Sequence, residues 1–126
     1  MIEIINDVIG LVRTVPELGG RVYRVWPKKK LKMPAALVSR IGGNPTFTDA
    51  DGSEVIANVA YSVDINAEDL ATLDSIVEQV ADLLSTYNLH RTGLTEFYDD
   101  QLQVNRVILT VSGTVDIRGN TFTGGY

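Results

Sequence analysis

Between Val55 and Ile65 the chain alternates with a period of two. Val55, Ala57, Val59, Tyr61, Val63 and Ile65 share one face, while Asn58, Ser62 and Asp64 share the other. Successive side chains of a strand point to opposite faces, so the pattern predicts a strand with one covered and one polar face, as in an antiparallel sheet. The period then changes. From Asn66 to Tyr87 an apolar stripe of Leu70, Leu73, Val77, Val80, Leu84 and Tyr87 recurs at helical spacing, widened by Ile76 and Leu83. At 1.5 Å per residue such a helix runs roughly 30 Å, enough to cross a small sheet. Asn66 is the expected cap, Glu68 and Asp69 suit the positive end of the helix dipole, and Asn88 is a suitable left-handed terminator.

The remaining elements fall around this pair. Ile2, Ile5, Val8 or Ile9, and Val12 predict a short amphipathic helix, closed by Pro16, after which Gly19-Gly20 reverses the chain. Arg21 to Trp26 and Ala36 to Ile41 read as strands. Gly42-Gly43-Asn44-Pro45 and Asp51-Gly52 are turn signals that frame a protruding loop or the arm of a long hairpin. Leu89 to Tyr98, a turn at Asp99-Asp100-Gln101, and Gln103 to Arg118 form a closing hairpin. In its second strand Val107, Leu109, Val111, Val115 and Ile117 face one way, and Arg106, Thr110, Ser112, Thr114, Asp116 and Arg118 the other. The order α-β-β-β-α-β-β specifies an α+β fold: an antiparallel or mixed sheet of about five strands with two helices on one face. Residues 1–118 form the expected single domain, and the Gly- and Thr-rich residues 119–126 a mobile tail.

The residue inventory excludes most chemistry. With no cysteine among 126 residues there is no disulfide framework, thiolate zinc site or cysteine nucleophile. His90 is the only histidine, so neither a histidine metal centre nor the usual base for a serine nucleophile is expected, and it reads as a strand-end surface residue. Asp99-Asp100 suits a hairpin tip better than a carboxylate pair, because adjacent turn residues point apart. Asp49, Asp51 and Glu54 lack the full calcium-loop ligand pattern and read as a solvated loop. Gly119 to Gly125 has no phosphate-loop lysine and no helix after it. No cofactor, metal or membrane span is expected.

Sixteen acidic against eleven basic residues give a net charge of −5, which disfavours general nucleic-acid binding. Yet Lys28, Lys29, Lys30 and Lys32 crowd into Trp26-Pro27-Lys28-Lys29-Lys30-Leu31-Lys32-Met33. Three readings stay open for this loop. Its lysines protect an edge strand from promiscuous pairing, dock an acidic partner surface, or meet DNA phosphates. Docking is the preferred reading. Phe47 either folds back on its own core or, on a protruding loop, anchors another subunit. Lys28 to Lys32 against Asp49, Asp51 and Glu54 is one candidate pair for contact between copies. The hydroxyl-rich face of Thr110, Ser112 and Thr114 suits water or a close polar surface.

A short helix leads through Gly19-Gly20-Arg21-Val22-Tyr23 into a strand with Pro27 just beyond. Pro34-Ala35-Ala36-Leu37-Val38 follows, then a strand feeding a long helix and a closing hairpin whose long strand comes last. This order, over residues 1 to about 118, resembles the tail terminator (tail completion, head–tail joining) proteins of long-tailed phages. The resemblance implies a non-enzymatic virion protein of the tail or neck, assembled in the host cytoplasm, with no catalytic residues to carry over. It implies a self-associated ring, usually six-fold, seated on the last ring of the tail tube protein. Such a ring stops tube growth, offers a surface to the head connector or stopper, and leaves a channel that DNA traverses without sequence-specific binding. A head–tail adaptor is the nearest rival. A small nucleic-acid-binding domain, using the lysines with Trp26, Tyr23 and Phe47, is the rival from another class, and an enzyme the third.

Overall fold

A computed structural model describes residues 3–48, 54–116 and 118–122. Helix α1 spans Ile5–Val12, and a single 3-10 turn, Pro16–Leu18, follows it. The strands are β1 (Val22–Tyr23), β2 (Ala35–Thr48), β3 (Glu54–Ala67), β4 (His90–Asp99), β5 (Val104–Asp116) and β6 (Thr121–Phe122), and helix α2 (Leu70–Thr86) lies between β3 and β4. They form one mixed sheet in the order β1-β2-β3-β5-β4, with β6 also pairing β5. β1 runs parallel to β2, and every other pairing is antiparallel.

The odd-numbered face of β3 is the core face. Ala57, Val59, Tyr61, Val63, Ile65 and Ala67 are all buried there, and they pair across with Val115, Gly113, Val111, Leu109, Val107 and Asn105 of β5. Both helices bury their apolar stripes against this one face, α1 through Ile5, Val8, Ile9 and Val12, and α2 through Leu73, Ile76, Val80 and Leu84. The α+β class, the two helices on one side and the element order agree with the expectation. Among the described residues the opposite face of the sheet carries no helix, and it keeps the polar set, with Thr92 bonded to Thr110 at 3.2 Å and Thr114 to Asn58 at 3.1 Å.

Four local expectations change. The helix does not start at Asn66: β3 continues through Ala67, and Asn66 pairs with both Ala35 and Arg106. Its amide instead bonds the Asp64 carboxylate at 3.1 Å, while Asp69 takes the cap position four residues before Leu73, whose N–H bonds the Asp69 carbonyl. The strand expected over Arg21 to Trp26 is only Val22–Tyr23, because Val25 faces solvent and Pro27 follows. Gly42 to Pro45 makes no turn. β2 runs on to Thr48 as one arm of a long hairpin with β3, absorbing an extra residue in a bulge between Arg40 and Gly42. Pro45 is tolerated because β1 pairs β2 only at Ala36 and Leu37, leaving that edge without a ladder to break. Finally, the segment 119–126 contains Thr121–Phe122, which pair with Val115 and Thr114 beyond the point where β4 begins.

Candidate docking surfaces

The basic loop is held at its base by Arg21. Gly19 and Gly20 both have positive φ, 55° and 79°, which glycine adopts without strain, and a side chain at Gly19 would collide with the Arg21 guanidinium at 2.7 Å. The turn lets Arg21 fold back so that its Nε donates to the Pro34 carbonyl at 2.8 Å and its Nη2 to the Glu17 carbonyl at 3.2 Å. The Arg21 carbonyl in turn accepts the Ala36 N–H at 3.0 Å, so both ends of the loop are pinned to one residue.

Between these ends Trp26, Pro27, Leu31 and Met33 are half-buried, while Lys28, Lys29, Lys30 and Lys32 point out and make no ion pair within the described residues. The apolar residues seat the loop and the lysines face solvent. Trp26 packs at 51° to the Tyr23 ring, 6.2 Å between centroids, so it is engaged rather than presented as a free stacking platform. Trp26, Lys29 and Lys30 line a groove of about 830 Å³ whose other wall includes Asn66, Tyr98 and Arg106.

Arg106 anchors that wall. Its Nη2 and Nε engage both oxygens of Asp64, the latter at 3.3 Å, and its Nη1 donates to Asp99 Oδ2 at 2.9 Å. The Phe97 ring lies 5.3 Å from the guanidinium carbon. Asp64 is 8% exposed and sits on the helix-free face of β3, where an uncompensated carboxylate would be costly. The hydrogen bond to Asp64, with the Asp99 charge, pushes Arg106 further up against the opposing effect of burial. Asp99 also accepts the N–H groups of Gln101 and Leu102, closing the β4–β5 turn. The pair Asp99-Asp100 therefore divides: Asp99 is a structural acceptor and Asp100 is solvent-exposed.

A second groove, of about 460 Å³, lies on the other face between α2 and β4. Its floor is apolar, with Val77, Ala81, Leu94 and Val107, and its rim is acidic, with Asp74, Glu78 and Asp82 along α2 and Glu96 on β4. β4 is the end of the sheet order, so among the described residues its outer backbone edge has no strand partner. Leu94, Phe97 and Tyr98 are 44%, 40% and 53% exposed on it, unusual for large apolar groups in a strand.

The other expected contact residues lie elsewhere. Asp49 and Asp51, and the side chains of Phe47 and Glu54, lie outside the described residues, and so does the candidate pairing with the lysines. His90 is exposed, 3.3 Å from Ser85 Oγ. Among the described residues no group of three or more His, Asp or Glu is placed to hold a metal, and no helix is long and apolar enough to cross a membrane.

No protein-family profile matches the chain, and no curated protein matches it. Among solved structures the chain is similar in fold to a chain from the virion of a native gene transfer agent particle. The TM-score is 0.64 at 17% identity, with 86% of this chain and 91% of the other covered. At that identity the likeness speaks for the fold.

Proposed function

We propose that the chain is a structural subunit of a tailed, phage-like virion, and specifically a tail terminator. In this reading copies close into a ring on the last ring of tail tube protein, end elongation, and present a docking surface to the head connector while DNA passes through the centre. The observation that carries it is the near-complete fold overlap with a virion chain, which leaves little of either chain unaccounted for. The surface supports the same reading. A bare strand edge flanked by exposed Leu94, Phe97 and Tyr98 suits a subunit that is covered in an assembly. Among the described residues the most buried ion-pair centre, Arg106 with Asp64 and Asp99, is saturated by internal bonds and is built for rigidity rather than turnover.

The test is removal of the gene in a cell that produces the particle, followed by electron microscopy. A terminator's loss yields overlong tail tubes without heads. Loss of a head-side adaptor yields tails of normal length beside filled, unjoined heads, and that outcome would replace this reading with its rival.

A further inference from the structure

Charge is segregated in this chain. Arg21 to Lys32 contains six cations and no acid, whereas α2 contains three acids, Asp74, Glu78 and Asp82, and no base. These three recur every fourth residue, so they line one stripe of the helix, where like charges destabilise it by roughly 0.2–0.5 kcal/mol per pair. Glu96 of β4 adds a fourth carboxylate across the groove, and among the described residues lining it Arg91 is the one cation. Nothing within the described residues pairs with Asp74, Glu78, Asp82 or Glu96. Of the apolar floor beneath them, Val107 is buried, Val77 and Ala81 are partly buried, and Leu94 is half-exposed.

We propose that this groove is the receiving half of the contact between copies, and that its occupant is the Lys28–Lys32 loop of the neighbouring subunit. The inference rests on the ring reading and specifies its interface. The two halves are complementary in sign, and neither is neutralised at home. The loop is pinned at its base by Arg21, so its four exposed lysines are presented with little ordering left to lose on docking. The groove and the loop are different patches of one chain. A contact between them is head-to-tail and closes into a ring when the rotation between copies permits.

The experiment is a charge swap read by native mass spectrometry. One variant carries Asp74→Lys, Glu78→Lys and Asp82→Lys, and the other carries Lys28→Glu, Lys29→Glu, Lys30→Glu and Lys32→Glu. All seven positions are exposed, and unchanged melting of each variant checks its fold. Each variant alone presents like charge on both halves and is expected to remain monomeric where the wild type assembles. Mixed, each loop meets a groove of opposite sign, so closed oligomers of strictly equal composition are expected to reappear. Rings formed by either variant alone would overturn the proposed contact and leave the ring reading standing. A mixture that fails to reassemble would overturn it too, because the loss would then have another cause. A wild-type chain that never associates would remove the ring and this contact together.

Discussion

The hydroxyl of Tyr61, in the middle of β3, donates to Glu3 Oε1 at 2.6 Å and accepts the Ile4 N–H at 3.2 Å. Glu3 completes the link by accepting the Ile5 N–H at 2.8 Å and pairing with Arg40 at 3.0 Å. A fully buried tyrosine thus fastens the chain before α1 to the central strand. Tyr61→Phe keeps the ring's packing but strands the Ile4 donor and removes one of the two hydrogen bonds to Glu3 Oε1. Urea unfolding is expected to show a loss of about 1–3 kcal/mol.

Burial of Tyr61 and its bond to the Glu3 carboxylate push the tyrosine hydroxyl well above its ordinary range. For Glu3, burial alone would raise the carboxyl, but the bonds from Tyr61 and the Ile5 N–H, with the Arg40 charge, outweigh it and hold the group down. A depressed carboxyl stabilises the fold above its unfolded pKa, and the contribution is lost as pH falls through the folded value. Below about pH 4.3, the ordinary glutamate value, wild-type stability should therefore fall more steeply than that of Glu3→Gln. Asp99 and Asp116, held down first by the N–H groups of Leu102 and Asn120, keep some acid sensitivity in both proteins. Denaturant midpoints collected across acidic pH check the difference in slope.

Removing Arg106 leaves Asp64 charged and nearly enclosed. Arg106→Met is expected to cost about 3–5 kcal/mol, the usual range when one partner of a buried pair is lost. Adding Asp64→Asn removes the orphaned charge and should recover most of that. Thermal unfolding of the single and double variants gives the comparison. Equal instability of the two would show that the arginine acts through packing on Phe97 instead.

Gly113 on the core face of β5 lies under the end of α2. A side chain there would meet the Asn88 carbonyl at 2.5 Å and Leu89 Cδ2 at 2.8 Å. Gly113→Ala is expected to destabilise by about 1–3 kcal/mol, since backbone cannot yield as a side chain would. Gly10 in α1 has open space around its Cβ direction, so Gly10→Ala should instead stabilise, by roughly 0.5–1 kcal/mol. Opposite shifts in melting temperature are the expected result.

These features were unequally legible in the sequence. β3, β5 and α2 could be read because one covered face imposes a strict period, and the buried sets Ala57 to Ala67 and Leu73 to Leu84 obey it. The shortness of β1 could not, because its length depends on how far β2 accepts a parallel neighbour. Gly42 to Pro45 carries turn chemistry that the long hairpin overrides, since a bulge and a free edge absorb both glycine and proline. Asn66 suits a cap by type, yet its place opposite Arg106 was decided by strand register. The lysine loop stood out because its charges are consecutive. The α2–β4 groove did not, because Glu96 joins Asp74, Glu78 and Asp82 only after β4 folds back beside β5. A signal existed all the same: a helix with acids at every fourth position and no base.

The central claim is that this chain works as a closed ring. Native mass spectrometry of the purified wild-type protein across a concentration series tests it most directly. The account predicts a discrete closed oligomer, six-fold as in the terminators the sequence resembles, that dissociates as salt is raised and its charged contact is screened. A protein that stays monomeric at every concentration, or that grows into open chains without a limiting size, would contradict it.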